Sequence, residues 1–309
     1  MTYAILMNQQ QTTSLATAIV IVTGVLWGLY WLPIRSLRDA GLDGAWGTLA
    51  ITSAAVLLLC PAAVLRRRHL LASNRIGLLS IALGGAAFAL YSIGFVYGHV
   101  AIIILLYFLT PVWSSLFARY VMGWHTPLLR VVAIFLGLAG LYVMLSSDGG
   151  LPVPQGTGEW MALLAGGLWS IATTGMRVKS RVEPVAAAFV FALGATVTAL
   201  VVAPWLGAWP AGPDVGGFLE PAALALATGG LWWVLSTAAL MWATVRLEPA
   251  RVGILLMTEV IVGAASAAVL AGEHLAPREL VGGALVLCAG VLEVWPAKRS
   301  CNEMGHPRS

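Results

Sequence analysis

Long runs without a charged residue constrain this chain more than any other feature. Residues 1–34 contain no Asp, Glu, Lys or Arg, and neither do residues 76–118. A helix needs about 20 apolar residues to cross a bilayer, so the first run can hold one span and the second can hold two. Only 10% of the residues are charged, whereas a soluble domain has about 25%. The sequence is therefore typical of a polytopic membrane protein.

Charged residues and turn signals divide the apolar runs into ten predicted helices. A segment rich in Gly and Pro, "DGGLPVPQGTG", separates two groups of five. We therefore predict an all-α membrane protein with a first repeat at 1–147, a linker at 148–158, a second repeat at 159–297 and a tail at 298–309. The predicted spans are 15–36, 44–65, the two parts of 76–118 on either side of Gly98 and His99, 127–147, 160–177, 184–205, 221–245, 250–271 and 277–295.

The basic residues fall mostly on one side of the predicted membrane. Ten spans that start in the cytoplasm leave Arg35, Arg38 and Arg278 outside and the other fourteen of the 17 Lys and Arg residues inside. Cytoplasmic loops are enriched in Lys and Arg, so we predict that both termini are cytoplasmic in a bacterial inner membrane. The net charge of +4 reflects this topology. No basic stripe with interleaved aromatics suggests a nucleic-acid partner.

The second half of the sequence repeats motifs of the first. Leu26, Trp27 and Arg35 recur as Leu168, Trp169 and Arg177, each 142 residues later. Further matches are Thr110 with Thr258, Val112 with Val260, Gly84-Gly85 with Gly229-Gly230, Gly123 with Gly272 and Pro127 with Pro277. Because each repeat has five spans, the second copy must enter the membrane from the opposite side. Inverted repeats of this kind suit alternating access around a site near the midplane.

The ends of both repeats carry the motifs of a known family. The first half reads "LYFLTPVWSSLFARYVMGWHTPLLR" and the second "LLMTEVIVGAASAAVLAGEHLAPRELVGGALVLCAGVLEV". Together with "LWG" in the first span, these resemble the drug/metabolite transporter superfamily, in particular its EamA-type ten-helix members. The resemblance covers nearly the whole chain. It departs from the family pattern at Glu259-Val260, where a Pro is missing, and at Trp124, which replaces a Glu.

The resemblance implies a cavity lined by spans 1, 3, 4, 6, 8 and 9. In span 3, aromatic residues at three- and four-residue spacing share one helix face. A wall of aromatic and hydroxyl groups suits an uncharged or zwitterionic ligand with an apolar body. The candidate substrate-binding residues are Trp27, Tyr30, Tyr91, Phe95, Tyr107, Thr110, Trp169, Trp233, Ser236 and Glu259.

Glu259 is the only ionisable residue near the middle of a predicted span. A charge at this depth costs about 2.5–3.5 kcal/mol on insertion scales, so the side chain needs a partner or a function. Three roles remain open: binding a substrate ammonium group, carrying a coupling proton, and forming a structural hydrogen bond.

Other function classes lack their motifs. The sequence shows no nucleophile with a base, no metal-binding spacing, no selectivity filter and no Walker motif, and its three Cys residues are not paired by spacing. We therefore expect no catalysis, cofactor or metal. The resemblance implies a monomeric or weakly dimeric exporter of small metabolites, with aromatic or other neutral amino acids as the first choice. Drug or organic-cation efflux is the alternative, and a membrane enzyme or channel is a distant third.

Overall fold

The computed structural model of the chain describes residues 2–120, 123, 128–146, 153–179, 182–208, 210, 219–244, 246, 247 and 249–294. Within these ranges the secondary structure is helical, and no strand occurs. The helices are α1 (Thr2–Gly28), α2 (Trp31–Asp39), α3 (Trp46–Leu65), α4 (Arg67–Ala72), α5 (Arg75–Tyr97), α6 (Val100–Tyr107), α7 (Thr110–Tyr120), α8 (Leu128–Leu145), α9 (Thr157–Lys179), α10 (Pro184–Leu206), α11 (Leu219–Ala227), α12 (Leu235–Thr244), α13 (Pro249–Leu256), α14 (Thr258–Leu270) and α15 (Pro277–Val294), with a π-helical segment at Thr228–Val234 between α11 and α12.

Among the described residues, seven helical segments are long and apolar enough to cross a membrane, which makes the chain a polytopic helical membrane protein. They are Gln11–Asp39, Trp46–Leu65, Arg75–Tyr97, Val100–Phe117, Pro184–Leu206, Leu219–Thr244 and Arg251–Leu270. The other three predicted spans coincide with α8, α9 and α15. The predicted linker lies partly, and the predicted tail wholly, outside the described residues.

Three of the seven segments are interrupted in the middle. The breaks lie between α1 and α2, between α6 and α7, and between α13 and α14. Pro33 and Pro111 explain the first two, because each lacks an amide donor for the carbonyl four residues earlier and its ring would clash with that carbonyl. The third break has no proline. At this position the Thr258 hydroxyl donates to the Leu255 carbonyl over 2.6 Å.

The helix ends gather at two opposite faces of the bundle. We call the face where α1 begins the proximal face and the face where α2 ends the distal face. At the distal face, Tyr97 at the end of α5 donates to the Leu206 carbonyl at the end of α10 over 2.6 Å. At the proximal face, Arg66 pairs with Glu183 at 3.1 Å, which joins the end of α3 to the start of α10.

Glycines set how closely the two halves of the chain approach each other. A Cβ added to Gly28 would lie 2.7 Å from the Glu259 carbonyl oxygen and 2.9 Å from the Gly263 nitrogen. Only a residue without a side chain leaves room for this crossing of α1 and α14, as at other small-residue contacts between membrane helices. The crossing carries the backbone of Glu259 close to α1.

The Gly28→Ala substitution tests this approach. Overpacking a tight contact costs about 1–3 kcal/mol, so the variant should melt at a lower temperature than the wild type in a detergent thermal-unfolding assay. Gly167→Ala is the matched control, because nothing lies within 4 Å of its added Cβ and Ala favours a helix over Gly by about 1 kcal/mol. Equal melting temperatures for Gly28→Ala and the wild type would contradict the close crossing.

Candidate functional site

A cavity of about 530 Å³ lies inside the bundle. Its described lining comes from α1, α5, α6, α7, α9, α10, α12, α13, α14 and the π-helical segment. The volume is within the range of small-molecule sites, which are mostly apolar with a few placed polar groups. Residues from both halves of the chain therefore enclose a space that suits one small ligand.

The wall of the cavity is a connected set of aromatic rings. Tyr91 stacks on Tyr107 with ring centroids 4.3 Å apart, and Tyr107 lies 6.5 Å from Trp169. The chain of contacts continues from Trp169 to Phe191 at 5.9 Å and from Phe191 to Trp233 at 5.5 Å. Such ring pairs favour tilted or offset geometries and fix one another's orientation. The wall is thus a preorganised aromatic surface.

Phe88 closes the wall on the side of α1. Its ring centroid lies 5.5 Å from that of Trp27, 5.9 Å from that of Trp233 and 6.0 Å from that of Phe191. The indole N–H groups of Trp27 and Trp233 are buried and have no hydrogen-bond partner among the described residues. Buried donors usually find a partner, so these two unpartnered groups are exceptions within the aromatic wall.

Glu259 is the only charged side chain among the described residues that line the cavity. It is 9% exposed, and its Oε1 accepts a hydrogen bond from the Tyr91 hydroxyl over 3.0 Å. No described residue donates to its Oε2. The tyrosine therefore orients the carboxyl group and leaves one oxygen for another partner.

The π-helical segment stabilises the first helix break from across the bundle. The Tyr30 amide donates to the Trp27 carbonyl over 3.1 Å, so the Leu26 carbonyl loses its usual partner four residues on. The Trp232 indole donates to that carbonyl over 2.8 Å. π-helical turns are frequent at functional sites, and this one supplies a donor that the interrupted α1 needs.

The cavity extends from mid-bundle to the proximal face. Its lining includes Ile81 near the start of α5, Met176 near the end of α9 and Thr244 at the end of α12, all of which lie at proximal helix ends. It includes no described residue from the distal ends of α2, α5 or α14. Among the described residues, the lining therefore reaches the proximal helix ends and none of the distal ones.

A hydrogen-bonded ion pair lies at the distal face. Arg35 in the middle of α2 pairs with Glu273 at 2.8 Å and donates to the carbonyls of Phe95 at 3.1 Å and Gly98 at 3.0 Å. The second oxygen of Glu273 accepts from the Val100 amide over 2.8 Å. The side chains are 20% and 8% exposed, respectively. This arrangement, which we call the distal clasp, joins α2, α5, α6 and the segment that follows α14.

A second polar contact lies between the distal clasp and the cavity. The buried Trp31 indole donates to the Ser266 hydroxyl over 3.0 Å, and Ser266 in turn donates to the Gly263 carbonyl over 3.1 Å. This contact joins α2 to α14 on the distal side of the aromatic wall. A ligand in the cavity would have to separate these helices to leave through the distal face.

The structure brings most of the predicted site residues to the cavity. Those that line it are Trp27, Tyr91, Tyr107, Thr110, Trp169, Trp233 and Glu259. Tyr30 and Phe95 are fully buried behind the wall, and Ser236 donates to the Trp233 carbonyl over 3.2 Å. These three are not among the lining residues. The role of each residue in substrate binding stays a prediction.

Two of the wall residues, Phe88 and Phe191, are absent from the predicted set. Phe88 belongs to the aromatic face of span 3 that also carries Tyr91 and Phe95, although it is not among the candidate residues. Phe191 lies in "AAAFVFALGA", a stretch of apolar residues. Because every face of such a helix is apolar, the sequence does not indicate which face lines the cavity. Its position follows from the packing of α10 on Gly84 and Gly85 of α5.

Access to the cavity can be measured with single cysteines after replacement of Cys60, Cys288 and Cys301. Leu240→Cys lies in the cavity lining, whereas Ser266→Cys is buried under the distal clasp. A water-soluble maleimide should modify Leu240→Cys at least about tenfold faster, because Ser266→Cys reacts only after local opening. Equal rates in purified protein would contradict a cavity open toward the proximal face alone.

Comparison with known proteins gives structural likeness only. No family model and no curated protein matches the chain. Fifteen chains among solved structures do match. One of them, described as "Crystal structure of protein", has 20% sequence identity and a TM-score of 0.55 over 90% of this chain and 96% of that chain. This likeness shows a shared fold over nearly the full length.

Proposed function

We propose that this protein is a secondary transporter that moves small metabolites across a membrane by alternating access. The observation that carries the proposal is a ligand-sized aromatic cavity inside a membrane bundle. Its described lining reaches the proximal helix ends, and the distal clasp joins the helices at the opposite face. A site near the midplane that is exposed to one side at a time is what alternating access requires.

The proposal includes ten spanning helices in two inverted five-helix repeats, with α8, α9 and α15 as the fifth, sixth and tenth. Contacts at matched positions support it. An added Cβ on Gly24 would lie 3.1 Å from Cβ of Thr258, and one on Gly166, which is 142 residues later, would lie 3.5 Å from Oγ1 of Thr110. Thr110 and Thr258 are themselves matched in the repeat. A glycine of one half thus meets a threonine of the other half at both crossings, which supports the inverted repeat.

The glycine pairs give a second set of matched contacts. Gly84 and Gly85 of α5 pack against α10, and Gly229 packs against the backbone of Ile51 and Ala55 in α3. In the ten-helix numbering, α5 is span 3, α10 is span 7, α3 is span 2, and α11 with α12 is span 8. A pseudo-two-fold axis relates span 3 to span 8 and span 7 to span 2, so it relates the contact of spans 3 and 7 to the contact of spans 8 and 2. The threonines at the breaks also match, since Thr110 and Thr258 each donate to a carbonyl three residues earlier over 2.6 Å.

The distal clasp has no matched acidic residue in the first half. Glu273 follows Gly272, and the residue that follows the matched Gly123 is Trp124, which lies outside the described residues. A carboxylate is therefore available to one end of the bundle and missing from the corresponding position of the other repeat. This difference supports a resting state that is closed at the distal face, with an opening step that breaks the clasp.

The proposed setting is a bacterial inner membrane with both termini in the cytoplasm, which makes the proximal face cytoplasmic. A cavity that opens there receives its cargo from the cytoplasm and suits export. The resemblance implies two substrate classes, neutral amino acids as the first choice and organic cations as the alternative. The aromatic wall supports the apolar part of such ligands.

Substitutions in the aromatic wall test the transport proposal. Trp169→Ala and Tyr91→Ala each remove a large aromatic ring from the wall. Each should lower counterflow in proteoliposomes about tenfold or more, because a loss of about 1.4 kcal/mol of binding free energy is a factor of ten in affinity. The measurement uses labelled amino acids and organic cations with equal amounts of reconstituted protein. Trp205→Ala is the control, because Trp205 is 85% exposed on the outer surface of α10. Wild-type flux in both wall variants would contradict the proposal.

Loss of the distal clasp should open the distal face. Glu273→Gln removes the charge that holds Arg35, and hydrogen bonds to charged groups contribute about 1.5–3 kcal/mol, so labelling of Ser266→Cys should rise by about tenfold. Asp39→Asn is the matched control: it breaks the exposed pair of Arg38 and Asp39, which contributes little. If Glu273→Gln labels no faster than the control, the clasp does not hold the face closed.

A further inference from the structure

We propose that the cavity selects organic cations over amino acids: the preferred cargo carries an ammonium group beside an apolar or aromatic body and has no carboxylate. This inference rests on the proposed transport function and names its substrate class. Glu259 supplies the counter-charge, and the rings of Tyr91, Tyr107 and Trp169 lie beside the ammonium group. Three observations on the cavity carry the inference.

The first observation is the geometry of the carboxyl group. Glu259 lines the cavity, its Oε1 is held by the Tyr91 hydroxyl at 3.0 Å, and its Oε2 has no donor among the described residues. A carboxylate fixed by one hydrogen bond and open on its other oxygen suits a charged N–H donor or a quaternary ammonium group. Charge-assisted contacts of this kind are stronger than neutral ones.

The second observation is the arrangement of rings next to that carboxyl group. Tyr91, which holds Glu259, stacks at 4.3 Å on Tyr107, and Tyr107 contacts Trp169 at 6.5 Å. The faces of aromatic rings carry partial negative charge and attract cations, and aromatic cages are a frequent way to bind quaternary ammonium groups. Glu259 and the rings therefore favour the same sign of ligand charge.

The third observation is the lack of a partner for a ligand carboxylate. No Lys, Arg or His occurs among the described residues that line the cavity. Arg35 is engaged in the distal clasp, and Arg246 lies 3.9 Å from the Trp242 ring and donates to the Trp242 carbonyl. A bound amino acid would place its carboxylate in an apolar space that already contains Glu259. Burial of an unpaired charge is strongly unfavourable.

Three ligands that share a phenyl ring and a two-carbon chain separate the charge types. They are N,N,N-trimethylphenethylammonium, which is a permanent cation, phenylalanine, which is a zwitterion, and 3-phenylpropionate, which is an anion. Binding of each labelled compound to the purified full-length protein is measured by equilibrium dialysis. The same measurement is made on Glu259→Gln and on Glu220→Gln, the matched change at an exposed carboxylate at the start of α11.

The proposal predicts that the cation binds at least tenfold more tightly than phenylalanine and that 3-phenylpropionate binds most weakly. Glu259→Gln should weaken cation binding at least tenfold, and Glu220→Gln should leave it unchanged. Phenylalanine binding as tight as cation binding, or no binding of any of the three, would overturn the proposal. So would cation binding that Glu259→Gln leaves unchanged, because Glu259 would then have a structural or proton-carrying role. If Glu259→Gln does not fold, the wild-type comparison decides.

Flux through proteoliposomes separates this inference from the transport proposal. Cation binding without counterflow of any compound would contradict the transporter and leave the charge selectivity standing. Counterflow of phenylalanine by a protein that does not bind the cation would contradict the charge selectivity and leave the transporter standing.

Discussion

Every backbone amide and carbonyl inside a lipid bilayer must find its partner within the protein. This requirement makes the chain helical, and it allows a helix to break only where other groups supply the missing bonds. The breaks after α1, α6 and α13 meet it with the Trp232 indole and the hydroxyls of Thr110 and Thr258. Residues next to all three breaks line the same cavity. The site thus lies where the helical order is interrupted and locally repaired.

Close crossings at glycine bring those breaks together. Gly24 and Gly28 let α1 approach α14, and Gly166 lets α9 approach the break between α6 and α7. With the backbones in contact, side chains on both sides of each crossing turn toward a shared space. Trp27 and Glu259 reach the cavity from one crossing, and Trp169 and Tyr107 reach it from the other. Small residues therefore determine where the large aromatic residues meet.

Much of this arrangement could be predicted from the sequence, because apolar length and the repeat are strong signals. Three predicted site residues do not line the cavity, and each has a local structural reason. Tyr30 shares a helix face with Trp27 only in an unbroken helix, and it lies in the turn between α1 and α2. Ser236 follows the π-helical segment, whose wider turn changes the helical phase, so Thr237 lines the cavity instead. Phe95 lies one turn beyond Tyr91 on the distal side, where the helices pack closely.

The distal clasp also gives no signal in the sequence. Arg35 and Glu273 are separated by 238 residues, and both lie at predicted helix ends, where charged residues usually extend to lipid headgroups. Only the crossing of α2 with the ends of α5 and α14 brings them together. The clasp holds the helices together at the distal face, and the candidate site is the cavity on its proximal side.

The central claim is that one cavity is exposed to each face in turn. Spin labels at Asp39 and His99 report the width of the distal face, and labels at Arg75 and Arg246 report the width of the proximal face. Asp39 and Arg75 lie at helix ends, His99 lies between α5 and α6, and Arg246 lies in a turn beyond α12. Pulsed electron spin resonance distances are compared with and without N,N,N-trimethylphenethylammonium. Alternating access predicts that, with the ligand, the distal distance lengthens and the proximal distance shortens in the same fraction of molecules. Two distances that stay fixed under ligand concentrations that saturate the cavity would contradict it.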